Sequence, residues 1–107
     1  MNLQKTLISD ALSERDFQER VLHYARLNGW LCYHTFDSRK STPGYPDLTL
    51  VRPGELVFAE LKTEKGRVSQ AQQGWIDLLD TTEAQAYIWK PSDWPVIEEV
   101  LRRRRRG

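Results

Sequence analysis

One cysteine, Cys32, is all that the 107 residues contain. That excludes an intrachain disulfide and any cysteine-rich metal centre, and its position within an apolar run suits a buried bystander. Long hydrophobic runs are missing too. Nothing approaches the roughly 18 consecutive apolar residues of a membrane span. Met1–Asp10 alternates polar and apolar residues rather than building a secretory signal, so the expectation is an intracellular (cytoplasmic), non-membrane protein. Internal repeats and low-complexity linkers are absent, which excludes a solenoid or tethered domains. Charge of one sign is also scarce: 16 Lys and Arg stand against 15 Asp and Glu, for a net +1. Five of those cations are Arg102–Arg106, leaving 11 basic against 15 acidic residues, or −4, over the rest. An arginine tail can grip phosphates through counterion release, but it is equally a solvated helix end.

What is present suits one modest core. Charged residues make up 29% and hydrophobic ones 39% of the chain, the balance of a single globular domain. The expected division is an N-terminal arm over residues 1–12, a domain over 13–101 and a basic tail over 102–107.

The central stretch, Gly44 to Lys62, carries two short apolar runs, Leu48–Val51 and Leu56–Leu61, around a polar Arg52-Pro53-Gly54-Glu55 turn. This is a β-hairpin pattern. Asp47 opens its first strand; Glu60 and Lys62 lie at the end of its second. Strand alternation puts Glu60 and Lys62 on one face, with Ala59 and Leu61 on the other. Antiparallel pairing brings Asp47 beside them. Two carboxylates and an ammonium then converge at an apolar sheet, which is costly through repulsion and lost hydration. A divalent cation removes the repulsion, and hard oxygen ligands suit Mg²⁺ or Mn²⁺. The bland reading is a turn-capping Asp47 and a solvated Glu60–Lys62 edge pair.

The flanking segments build the frame. Ser13 opens a helix over Glu14–Leu27 that stops at Asn28-Gly29. Its stripe is Phe17, Val21, Leu22, Tyr24 and Ala25. At 100° per residue Glu14 falls in the middle of that stripe, Gln18 on its edge and Glu19 nearly opposite. Glu14 is therefore favoured over Glu19 as a third carboxylate, the alternative being a glutamate satisfied by backbone N–H groups at the helix start. Trp30–Phe36 reads as a strand, with His34 a second-rank candidate because a lone strand histidine is usually packed. Asp37–Tyr45 has loop composition, and Arg39, Lys40, Ser41 and Thr42 could contact phosphate there, the alternative being an ordinary surface loop of the same composition. Ser69 caps a helix to about Asp80, on which Gln72 is the polar member of a stripe with Trp75, Ile76 and Leu79. Gln72 is either satisfied at the helix rim or orients Lys62, a water or a phosphate. Ala84–Trp89 follows as a strand parallel to Leu56–Leu61. Pro91-Ser92-Asp93-Trp94 opens a last helix bearing Val96, Ile97, Val100 and Leu101.

These residues carry a resemblance. Pro46-Asp47, twelve intervening residues and then Glu60-Leu61-Lys62 match the signature of the PD-(D/E)xK nuclease superfamily. The chain resembles most closely its VRR-NUC family, whose small stand-alone members occur in phages and bacteria. The similar stretches are Glu14-Arg15-Asp16-Phe17-Gln18, Gly29-Trp30, Gly44-Tyr45-Pro46-Asp47-Leu48, Phe58-Ala59-Glu60-Leu61-Lys62, Gly66-Arg67-Val68-Ser69 with Gln72 and Trp75, and Trp89-Lys90-Pro91-Ser92-Asp93-Trp94. The resemblance implies an α/β, restriction endonuclease-like core in the order helix-strand-strand-strand-helix-strand-helix, with a central mixed sheet flanked by helices.

It also implies a metal-dependent DNA endonuclease. Glu14, Asp47 and Glu60, with the carbonyl of Leu61, are then the ligands for Mg²⁺ or Mn²⁺. Lys62 orients the attacking water and stabilises developing charge, and Gln72 supports the lysine or the phosphate. Dimeric relatives cleave branched DNA such as Holliday junctions, so a homodimer with structure-selective cleavage is expected. No helix offers a set of base-reading side chains, which argues against sequence specificity; RNA stays open as a substrate. The rival readings are a non-cleaving DNA-binding or assembly module on the same fold, and an α/β protein with a merely structural acidic cluster.

Overall fold

The structure is a computed structural model that describes residues 12–36 and 40–104. Nearly all of the expected arm, the start of the Asp37–Tyr45 loop with Arg39, and the end of the arginine tail lie outside the described residues.

Helix α1 runs Glu14–Leu27. The Ser13 hydroxyl accepts the Asp16 N–H at 3.0 Å, relieving one of the free donors of the first turn. Its buried residues, Phe17, Val21, Leu22 and Ala25, fall at the three- and four-residue spacing of one helical face. Asn28 caps the helix and Gly29 turns the chain with φ +84°.

Strand β1 covers Leu31–His34, shorter at both ends than the expected Trp30–Phe36. The reason lies in what the end residues do. Trp30 is buried and donates its indole N–H to the Leu101 carbonyl at 2.9 Å, so it anchors the last helix instead of extending the ladder. Pairing with β2 ends at His34↔Leu48. Strands β2 (Leu48–Arg52) and β3 (Glu55–Leu61) form the expected hairpin, with Gly54 at φ +76° in its two-residue turn. Helix α2 spans Gln70–Leu79 and leads to β4 (Gln85–Trp89), which pairs parallel to β3. A 3₁₀ turn over Pro91–Asp93 opens helix α3, Trp94–Leu101.

The sheet order is β1-β2-β3-β4, mixed because only the last pair is parallel. One face packs Leu48, Leu50, Val57, Ala59 and Leu61 against Phe17, Val21 and Ala25 of α1 and Ile97 and Leu101 of α3, all buried. In α3 it is Ile97 and Leu101 that point inward, whereas Val96 is 52% exposed. The opposite face of β3 is covered by α2, whose Ile76 is buried. Far from Asp47 along β2, the buried Arg52 ties the ends of three elements together. Its guanidinium donates to the carbonyls of Asn28, Leu101 and Arg102, each at 3.0 Å, pairs with Glu55 and lies 4.2 Å over the Trp30 ring. No helix among the described residues is long and apolar enough to cross a membrane.

Candidate active site

The hairpin register places Leu48 opposite Ala59, so Asp47 stands beside Glu60 as strand alternation requires. Asp47 Oδ2 accepts the backbone N–H of Leu61 at 2.8 Å. Its own carbonyl accepts the Thr35 N–H at 2.8 Å, and the Thr35 hydroxyl donates to the Pro46 carbonyl at 2.8 Å. The aspartate is thus held from both neighbouring strands.

Glu60 is the least ordinary group here. It is 2% exposed. Its Oε2 accepts the Gln72 side-chain N–H at 2.8 Å and lies 3.6 Å from Lys62 Nζ. Its Oε1 is buried with no hydrogen-bond partner among the described residues. Burial, and then the Asp47 carboxylate beside it, push the Glu60 carboxyl up to about 8, against the pull of Lys62. Lys62 is itself largely enclosed, 15% exposed along its side chain, and its backbone N–H continues the sheet to the Trp89 carbonyl at 2.9 Å.

Gln72 meets Glu60 rather than Lys62. Its Oε1 accepts the Ser69 N–H at 2.9 Å, while its own N–H donates to the Ser69 hydroxyl at 3.1 Å. This reciprocal cap fixes which end of the amide faces the sheet. The side-chain N–H is therefore aimed at the carboxylate. The Ser69-x-x-Gln72 spacing is the signal from which that arrangement is readable.

Glu14 differs from its expected burial: it is exposed at the start of α1. The apolar stripe reaches the core only from Phe17 onward, so the first turn projects past it. Even so its carboxyl is raised, by partial burial first and then by Asp47, with Lys62 opposing. Glu14 thus shares the electrostatic field of the site. Glu19 instead pairs with Arg15 at 3.7 Å on the solvent side of the helix. Among the described residues no three His, Cys, Asp or Glu side chains form a group already arranged to hold a metal ion.

The loop before Asp47 is fastened to α2 through residues whose role the sequence reading did not assign. Gly44 has φ +88°, and a Cβ there would lie 2.4 Å from the Ala71 backbone carbonyl carbon, so only glycine allows this approach. Tyr45 packs edge-on against Trp75 and Phe58, with centroids 5.1 and 6.5 Å away. The Trp75 indole N–H donates to the Pro43 carbonyl at 3.1 Å. Elsewhere, His34 packs against the Phe36 ring, and the half-buried Cys32 thiol, raised by burial, lies 3.6 Å from the Trp30 carbonyl.

Comparison with known proteins adds three findings. The family model described as the VRR-NUC domain matches residues 3–92, including every candidate site residue. A Schizosaccharomyces pombe protein, the Fanconi-associated nuclease 1 homolog, is 38% identical over 56 residues, which cover 50% of this chain but 8% of that protein. A solved structure described as a VRR_NUC domain is similar with a TM-score of 0.58 at 20% identity, covering 77% of this chain and 90% of its own.

Proposed function

The chain belongs to the VRR-NUC domain family, and on that footing we propose that it is a DNA nuclease that hydrolyses phosphodiester bonds with a divalent metal ion. The observation that carries this reading is Glu60, a carboxyl sealed into the sheet, whose Oε1 meets no donor among the described residues and whose proton is held more tightly because of burial and the adjoining Asp47. A buried, half-satisfied acid is expensive unless something compensates it. Closely set carboxylate oxygens fit a hard cation such as Mg²⁺ or Mn²⁺.

Glu14, Asp47 and Glu60, with the Leu61 carbonyl, are the residues that would hold the ion. Bound there, it supplies Lewis-acid polarisation of a phosphoryl oxygen and a more acidic attacking water. The protein's own parts then have separable tasks. Lys62 brings a positive charge, partly desolvated and so little screened, to the oxygens that gain negative charge in the transition state. Gln72 holds Glu60 by one oxygen and leaves the other free. The Leu61 N–H keeps Asp47 oriented, and the Thr35 bonds keep its backbone in register.

The proposed substrate is branched or junction DNA, read through phosphates and shape rather than base sequence, by a homodimer that presents two such sites. That no three-carboxylate cluster is gathered among the described residues is the observation that favours a non-cleaving DNA-binding or assembly module. Cleavage of labelled single-stranded, duplex, flap and four-way-junction DNA with Mg²⁺, Mn²⁺ or EDTA separates the two. Metal-dependent products that vanish in Lys62→Ala and Asp47→Asn are expected. Binding without product under every metal would overturn the enzyme reading.

A further inference from the structure

Beside the site, α2 carries an apolar shelf that the nuclease chemistry above does not use. Pro43, Ala71, Gly74, Trp75 and Leu78 line a cavity of about 290 Å³. That is near the small end of ligand pockets, roughly 300–1,000 Å³, and suits one planar ring system better than an extended molecule. Its floor is rigid, because Trp75 is fixed to Pro43 by a hydrogen bond and to Tyr45 by ring contact. It is also close to the chemistry. Ala71 adjoins Gln72, which holds Glu60, and Pro43 lies four residues before Asp47.

Two features of the shelf are not accounted for by packing among the described residues. Leu78 is 71% exposed. Gly74 sits inside α2, where glycine costs about 1 kcal/mol relative to alanine, yet a Cβ there would meet nothing within 4 Å. Neither packing nor backbone conformation calls for glycine at this position. Open space kept at a cost above an apolar floor fits close approach by something from outside.

Charge points to what that is. Lys40 on the loop before Pro43, and Lys65 and Arg67 on the turn before Ser69, are exposed; the cavity residues themselves carry no charge, and the exposed acid next to Leu78, Asp77, is engaged by the Gln73 amide at 2.8 Å. An apolar shelf with cations on both segments leading to it matches a nucleotide, with a flat base and an anionic phosphate. We propose that this shelf seats the base of an unpaired nucleotide adjoining the scissile phosphate, and so selects DNA whose strand is unstacked at a branch. The inference deepens the nuclease reading and rests on it for the substrate class.

The test fills the shelf without disturbing the fold. Gly74→Leu has room for its side chain and should hold or raise Tm; Leu78→Ser thins the wall instead. Binding is read in EDTA, where no cleavage is needed, as the fluorescence change of 2-aminopurine at the unpaired position of a flap. Wild type is expected to change the signal. Gly74→Leu should weaken flap binding about tenfold, since stacking contributes roughly 1–3 kcal/mol per base, with Leu78→Ser between the two. With metal present, the same loss should fall on KM and not on kcat. An unchanged 2-aminopurine signal in Gly74→Leu would overturn the shelf. So would a self-association that Gly74→Leu abolishes, since a second copy would then be the occupant. Failure of wild type to cut any DNA while the fluorescence result holds would instead count against the nuclease reading alone.

Discussion

Replacing Glu60 by glutamine should stabilise the metal-free protein, and by an amount that grows with pH. The substitution keeps size and shape, still accepts from Gln72, and supplies a neutral donor toward Asp47 where the protonated acid would supply its own. The Glu60 carboxyl is raised to about 8 from an ordinary 4.5. A raised carboxyl means that the folded state holds its proton where the unfolded chain has released it. Its contribution is fully present below about pH 4.5 and is lost as pH climbs through about 8. At pH 7 the difference, at 1.36 kcal/mol per pH unit, comes to about 3 kcal/mol. Imperfect hydrogen bonding of the amide beside Asp47 and Lys62 trims this to about 2 kcal/mol; the pull of Lys62 is already contained in the raised carboxyl. For a domain of this size that corresponds to a Tm gap on the order of 10 °C. Thermal unfolding in EDTA from pH 5 to pH 9 measures it. The curves should nearly meet at pH 5, separate up to about pH 8 and run parallel above it, with Glu60→Gln the higher. Added Mn²⁺ or Mg²⁺ should raise the wild type and leave the variant nearly unmoved. A variant less stable than wild type at every pH from 6 to 9 would refute the reasoning. Glu60 would then be a net stabilising member of a structural ion pair with Lys62, with no call for a cation.

Other outcomes follow from the same geometry. Metal affinity, read by isothermal titration at several pH values, should rise with pH up to about 8, because Glu60 must lose its proton to act as a ligand; a flat profile between pH 6 and pH 8 would remove it from the ligand set. Gln72→Ala should lower kcat on a flap substrate by about ten- to a hundredfold with a smaller change in KM, since it frees Glu60 to rotate. Gly44→Ala should cost about 2 kcal/mol or more in urea unfolding, through a left-handed φ and a Cβ overlapping the Ala71 carbonyl carbon. Arg52→Met should cost about 2–4 kcal/mol, since it removes the donors of the Asn28 and Arg102 carbonyls and one of the two on Leu101, and leaves Glu55 only the more exposed Arg104.

The elements were legible because their signals were local. Ser13 and Ser69 announce helix starts, Asn28-Gly29 a helix stop and Pro53-Gly54 a turn, and each stands where its chemistry requires. The parallel placement of β4 followed from the helical crossover, as chain connectivity alone dictates. Asp47, Glu60 and Lys62 could be brought together on paper because a hairpin register converts sequence distance into spatial distance. Glu14 was harder. Helical projection gives an azimuth but no depth, so it assigned the correct side of α1 while missing that the first turn overhangs the core.

What stayed hidden needed two segments whose contact no periodicity encodes. The partner of Gln72 is one such case: a stripe position says that the amide faces inward, but only the fold says that Glu60 waits there. The seating of Gly44 on Ala71 is another, a close approach between a loop and a helix 27 residues further along the chain. The two contacts have a common consequence. The Gly44–Asp47 loop and the Glu60 strand reach the same helix from opposite sides, one through Ala71 and Trp75, the other through Gln72. The Leu61 N–H fixes Asp47 to the strand that carries Glu60, and helix α2 braces both segments from outside the hairpin. A change that shifts α2 relative to the sheet should therefore turn the Glu60 carboxyl, which Gln72 holds, and loosen the loop that leads to Asp47, while the backbone register of the hairpin stays in place.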